Sequence, residues 1–312
     1  MHIARQKQIL VLACAALCVA LAACSGGGES EKTNPSSETS GSPLNAPATI
    51  EAQAFNDDAA ISSNGASIDT SQASNGYVAA KGTNSSRLKF QVTKGDMSYN
   101  YDLPSDGSPI YCPINMGDGE YSFRIMQNTS GQNYVEIAST QENVSLDNEF
   151  SPFLQPNVYC DYSEGSECVS VARSLTAQAS NQGEAVQAIC EYIINNITYD
   201  TSKADTLRTA TGYIPNPDDT LASGTGICFD YASLGCAMLR SQGIPCQIIT
   251  GYVSPDDIYH AWIMVYIDGV WKCGEFSVSR NTWSRVDLTF AASSGNVSQV
   301  GDGKNYTVRY TY

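Results

Sequence analysis

Residues 224–253, GTGICFDYASLGCAMLRSQGIPCQIITGYV, admit few structures. Phe229, Ala232, Cys236 and Leu239 recur at steps of three and four, the period of one helix face. That spacing predicts a helix over Cys228–Ser241. Gly243 stops it and Pro245 forbids its return. CQIITGYV then reads as a strand. Upstream, GEAVQAICEYIINNITYD sets Val186, Ile189, Cys190, Ile193 and Ile194 at helical spacing and exits at Asn195-Asn196. Downstream, HAWIMVYIDGVWKCGEF reads as a hairpin about Asp268-Gly269, with NTWSRVDLTF and NYTVRYTY as further strands. Helices followed by a run of antiparallel strands predict an α+β domain over 153–312.

Residues 76–152 carry a different pattern. GYVAAKG, SRLKFQVTKG, MSYNYDL, YSFRIMQN and YVEIAST alternate apolar and polar residues and are broken by Gly, Asn and Asp. Leu88, Phe90 and Val92 fall on one side of their strand. A small all-β domain is expected to precede the α+β one. It contains no histidine, one cysteine (Cys112) and no constellation of reactive side chains.

The N-terminus reads as an export signal. Arg5 and Lys7 precede an apolar run of 15 residues, ILVLACAALCVALAA, short of the roughly 20 that a spanning helix needs. The run ends in Leu21-Ala22-Ala23-Cys24, which resembles a bacterial lipobox. The expected organisation is therefore a signal peptide over 1–23, then lipidation of Cys24. A flexible Ser-, Gly- and Asn-rich spacer is expected over 24–75. A protein so processed is exported and tethered to the outside of a bacterial membrane. The formal charge of −15, with 32 acids against 17 bases, lacks the basic face of a nucleic-acid binder.

Three roles compete for Cys228: a packed thiol, half of a disulfide, or a nucleophile. Gly224 and Gly226 leave the preceding backbone bare for a substrate's approach. Cys228 opens a helix, where unpaired N–H groups and the positive end of the dipole favour a thiolate and could hold an oxyanion. A thiolate nucleophile needs a base, usually histidine. Cleavage after residue 23 removes His2, so His260 is the one histidine left. It opens a strand whose alternation groups it with Trp262, Met264 and Tyr266.

These residues also occur in a telling order. Gly226-Ile227-Cys228-Phe229-Asp230-Tyr231-Ala232, Leu239 to Pro245, Gly251-Tyr252 and His260-Ala261-Trp262 together resemble the transglutaminase-like superfamily, with Ile197-Thr198-Tyr199-Asp200 as its lead-in. The resemblance covers about 153–312. It implies a papain-like core, a nucleophile-bearing helix packed on an antiparallel sheet. It also implies a Cys-His-Asp catalytic set, with Cys228 as nucleophile and His260 as general base and acid. For the third member, Asp287 in Trp283-Ser284-Arg285-Val286-Asp287-Leu288-Thr289-Phe290 matches the family's pattern except that Leu288 replaces proline. Glu275 is the alternative, and Asp287 is preferred for its flanking residues. Either carboxylate would fix the imidazole tautomer and stabilise the imidazolium.

The reading that follows is a surface-anchored cysteine enzyme acting on amide bonds of a protein or peptide, with cell-envelope peptides as plausible substrates. Hydrolysis is preferred over transfer to a lysine amine, and an inactive binding scaffold is the rival from another class. No cofactor is expected. One histidine and no paired Cys-x-x-Cys leave no zinc pattern. Asp218-Asp219 and Asp256-Asp257 read as solvated loop charge. Among the remaining thiols, Cys160 and Cys168 could close a short loop, while Cys190 and Cys236 sit on apolar helix faces as core.

Overall fold

The structure, a computed structural model, describes residues 38–254, 257–273, 276–278, 282–294 and 306–312. Cys24 and Glu275 lie outside them, as does the leader.

The segment expected as a spacer contributes strands. β1 (Glu38–Gly41), β2 (Ile61–Ser63) and β3 (Ala66–Asp69) all precede residue 76. The short apolar alternation of Ala66-Ser67-Ile68, hidden among Ser, Asn and Gly, buries Ala66 and Ile68. β4 (Tyr77–Gly82), β5 (Leu88–Lys94), β6 (Met97–Leu103), β7 (Ile110–Pro113), β8 (Gly119–Ser130) and β9 (Asn133–Val144) follow. They form two four-stranded antiparallel sheets, β2-β3-β4-β7 and β6-β5-β8-β9. Both contribute to one core. Leu88, Phe90 and Val92, all fully buried as the alternation predicts, meet Val78, Ala80 and Cys112 there.

The second half opens with α1 (Glu167–Thr176) and α2 (Gln182–Asn196). Then come β10 (Thr198–Tyr199), α3 (Thr201–Leu207), α4 (Pro217–Ser223), β11 (Thr225–Gly226) and α5 (Cys228–Ser241). Asp218, read from sequence as solvated charge, accepts the Glu167 and Cys168 N–H groups at the start of α1. Every residue of α5 from Asp230 to Ser241 is buried. A helix enclosed on all sides is the axis of its core. It packs on β12 (Cys246–Val253) and β13 (Ile258–Val265), whose Ala261, Ile263 and Val265 face the same cluster.

β13 does not form a hairpin with the next strand. β14 (Gly269–Cys273) pairs with β1 and with β15 (Phe276–Val278), while β13 lies between β12 and β16 (Ser284–Val286). The chain is turned aside at Asp268, whose N–H donates to Gln182 Oε1 on α2 and whose carbonyl accepts from Ser42. NTWSRVDLTF is likewise only partly strand. After β16 the chain turns at Asp287 into α6 (Leu288–Ser294). β17 (Tyr306–Thr311) completes the sheet, in the order β16-β13-β12-β17.

The protein is therefore α+β, with an all-β half ahead of a core in which a buried helix packs on an antiparallel sheet. The halves meet across tyrosines. Tyr101 lies 5.8 Å from Tyr159, and Tyr312 lies 5.5 Å from Tyr99 and 4.7 Å from Tyr159, measured between ring centres. The Tyr99 hydroxyl accepts the Thr311 N–H at 3.2 Å.

Candidate active site

The approach to Cys228 is fixed by backbone pairing. α4 ends on Gly224, which adopts a left-handed φ of +64° and donates its N–H to Thr220 O. β10 and β11 then pair in parallel, with Tyr199 opposite Gly226. Gly226 has a reason sequence reading did not assign to it. A Cβ there would lie 2.7 Å from the Cβ of Asp230, so the glycine makes room for that side chain. Asp230 is fully buried. Its Oδ2 accepts the Ile227 N–H at 2.8 Å and the Lys203 ammonium at 2.7 Å, and its Oδ1 accepts the Tyr213 hydroxyl. An acid three positions into a helix, reaching back to the N-cap N–H, is half of a capping box. The other half is missing, because Ile227 at the N-cap has no side-chain acceptor. The first-turn N–H groups around Cys228 are left for whatever occupies the site.

Replacing Asp230 by alanine strands three donors in a partly buried pocket. The expected cost is about 2–3 kcal/mol, discounted because Lys203 stays partly in water. Activity should fall at least tenfold as the helix start loosens. Urea unfolding and kcat/KM test this, and an unchanged midpoint with unchanged rate would remove Asp230 from the site.

His260 lies on β13 opposite Gly251 of β12 and is 7% exposed. β16 pairs with β13 only over Ile263–Val265, with Val286 opposite Ile263. The next residue, Asp287, therefore leaves the ladder beside the His260 end of β13. Its Oδ2 is 2.7 Å from His260 Nε2 and also accepts the Tyr306 hydroxyl at 2.8 Å. Its Oδ1 accepts the Phe290 N–H at 3.1 Å. Asp287 thus caps α6 and grips the imidazole with one fully buried carboxylate. The Phe290 ring stacks on His260, centres 4.8 Å apart and planes 21° from parallel. With Nε2 committed to Asp287, Nδ1 is the ring nitrogen left to act on Cys228, whose side chain neighbours His260. Cys228 itself is half-buried.

Burial opposes a charged imidazole, but the Asp287 carboxylate and the neighbouring Cys228 outweigh it, and His260 is raised from 6.5 to about 10. An imidazolium is therefore the favoured form at neutral pH. Among the described residues no group of three His, Cys, Asp or Glu side chains could hold a metal ion.

The structure brings Cys228, His260 and Asp287 together. Sequence reading missed Asp230, Phe290 and Tyr306. The position of Asp230 three residues into the helix was a readable signal, and Asp287 ahead of an apolar Leu-Thr-Phe was a readable cap. Tyr306 gave none, because a fold-level pairing of β17 with β12 carries it in. The proposed short loop between Cys160 and Cys168 is not closed. Both thiols are free, Cys168 beside Asp218 and Cys160 donating to Ser233 O at 3.8 Å.

Comparison with known proteins finds a family model and several relatives. A family model described as the transglutaminase-like superfamily matches residues 169–288. An uncharacterized Mycobacterium leprae protein is 26% identical over 141 residues, 42% of this chain and 47% of that one. Cytokinesis protein 3 of Schizosaccharomyces pombe is 35% identical over 120 residues, 35% of this chain and 13% of that one. The chain thus spans about half or less of the curated relatives it matches. A solved structure of a cysteine-protease candidate from Cytophaga hutchinsonii is 18% identical with a TM-score of 0.36, covering 76% of this chain and 91% of that one. Residues 169–288, which hold Cys228, His260 and Asp287, are a transglutaminase-like domain.

Proposed function

We propose that the protein is a cysteine enzyme that hydrolyses amide bonds in a protein or peptide. The observation that carries this reading is the His260 imidazole gripped by the Asp287 carboxylate and neighbouring Cys228, at a helix start whose N-cap residue, Ile227, offers no side-chain acceptor. The Cys228 thiolate attacks the amide carbonyl. The developing oxyanion is met by first-turn N–H groups of α5. As the C–N bond breaks, His260 gives its proton to the leaving amine and a thioester remains. Water then attacks the thioester, passes a proton to His260 and releases the acid, restoring the thiolate.

The test is a glutamine-bearing peptide offered with and without a primary amine. Cleavage or deamidation should run equally in both, with no amine incorporated and no turnover by Cys228→Ala. Incorporation of the amine would reassign the activity to crosslinking. A Cys228 labelled no faster by a thiol probe than in His260→Ala would leave a binding scaffold.

The proposal extends to location. The lipobox-like Leu21-Ala22-Ala23-Cys24 would place this activity at a membrane surface outside the cytoplasm, within reach of envelope peptides. The expressed protein should partition into detergent, and Cys24→Ala should release it to the aqueous phase. Aqueous partition of both would remove the anchor.

A further inference from the structure

We propose that Cys236 and Cys246 form a disulfide that staples the nucleophile-bearing helix to the sheet holding its histidine. The two sulfurs, both thiols in this structure, lie 2.8 Å apart and both residues are fully buried. That separation is inside the roughly 3.5–4.0 Å at which even carbon atoms, smaller than sulfur, reach their best contact. It exceeds a disulfide bond, about 2.05 Å, by well under one ångström. The two backbones are held independently of the sulfurs. Cys236 sits in the second half of α5, and Arg240, one turn further on, donates Nε to Cys246 O at 2.7 Å. The turn between them is closed by Gly243 N to Arg240 O and Ile244 N to Leu239 O. Little ordering is therefore left for bond formation to impose. A third thiol, Cys160, neighbours Cys236, but its hydrogen is engaged by Ser233 O at 3.8 Å.

The reaction is a thiol–disulfide exchange with a disulfide-carrying oxidant. Cys236 and Cys246 lose two hydrogens and gain one S–S bond, while the oxidant's S–S bond is reduced to two thiols. Burial pushes the Cys236 thiol well up, so exchange occurs before the core closes, and reductant reaches the bond only after it opens.

Peptide mapping decides. The full chain is refolded with oxidised and reduced glutathione, denatured in alkylating agent without reductant, and cut with trypsin, which cleaves after Arg240 between the two cysteines. The peptide ending at Arg240, alkylated at Cys228, is expected to be joined through Cys236 to the peptide carrying Cys246, two hydrogens lighter than the separate pair. Reductant should lower the Tm by roughly 5 °C, and should not move that of Cys236→Ala/Cys246→Ala. Alkylation of both cysteines at the outset, or a link from Cys236 to Cys160, would overturn the proposal, and the map needs no variant to fold.

Discussion

Replacing Asp287 by asparagine is expected to lower kcat/KM near pH 7 by about 1,000- to 10,000-fold while leaving the fold intact. Asparagine keeps an acceptor for the Phe290 N–H that caps α6. What it removes is the negative charge 2.7 Å from His260 Nε2. That charge raises His260 to about 10 against the opposing effect of burial. Without it, Cys228 alone opposes burial and the imidazole loses its proton at a lower pH. Two pH signatures follow. The wild-type rate should decline on the alkaline side as pH rises through about 10, when the proton donor to the leaving amine is lost. In the Asp287→Asn enzyme that limb should move to lower pH. Stability follows the same sign. A histidine raised on folding contributes fully below about 6.5, its unfolded value, and loses that contribution as pH rises through about 10. Wild-type stability should therefore fall across that window, and the variant's should fall less. Glu275→Gln is the matched control. A collapse of activity there, with Asp287→Asn retaining the wild-type rate and alkaline limb, would transfer the acid's role to Glu275.

The parts of this site that sequence revealed are those fixed by short-range rules. The helix over Cys228–Ser241 and the strand over Cys246–Val253 follow from apolar period and from Gly243 and Pro245, and both occur at those residues. Leu88, Phe90 and Val92 alternate and are buried for the same reason. What was misread depended on pairing between distant segments. The apparent hairpin after Tyr266 fails because β1, more than 200 residues earlier, supplies the partner of β14. Val286-Asp287-Leu288 looked like strand until the carboxylate capped a helix. Gly226 looked like an opening for substrate, whereas it accommodates a carboxylate four residues on. In each case local propensity was sound and a long-range contact or a side-chain hydrogen bond decided the outcome.

The largest stability effect is expected at Arg240, far from the reacting atoms. Its side chain is buried in the core, 1% exposed, and has no Asp or Glu hydrogen-bond partner among the described residues. Instead its guanidinium donates to three backbone oxygens. These are Cys246 at 2.7 Å, Gln155 at 2.7 Å and Tyr312 at 3.0 Å. They belong to the start of β12, the segment leading out of the all-β half, and the last residue described. One side chain therefore joins the nucleophile's helix to the sheet and to the tyrosine seam between the halves. A buried cation is costly to desolvate, but removing it leaves one fully buried acceptor and two partly buried ones without their donor. Tyr312 O keeps the Ile248 N–H as a second partner at 2.8 Å, so the loss concentrates on the other two. Arg240→Ala, which adds a cavity to the lost bonds, should cost about 3–5 kcal/mol. Arg240→Met fills most of that space without donors and should recover part of the loss. Lysine should recover little, since an ammonium cannot span three acceptors that a planar fork reaches together. Urea midpoints at constant slope would rank the three variants. If Arg240→Met matched the wild type, the backbone clamp would contribute nothing beyond volume.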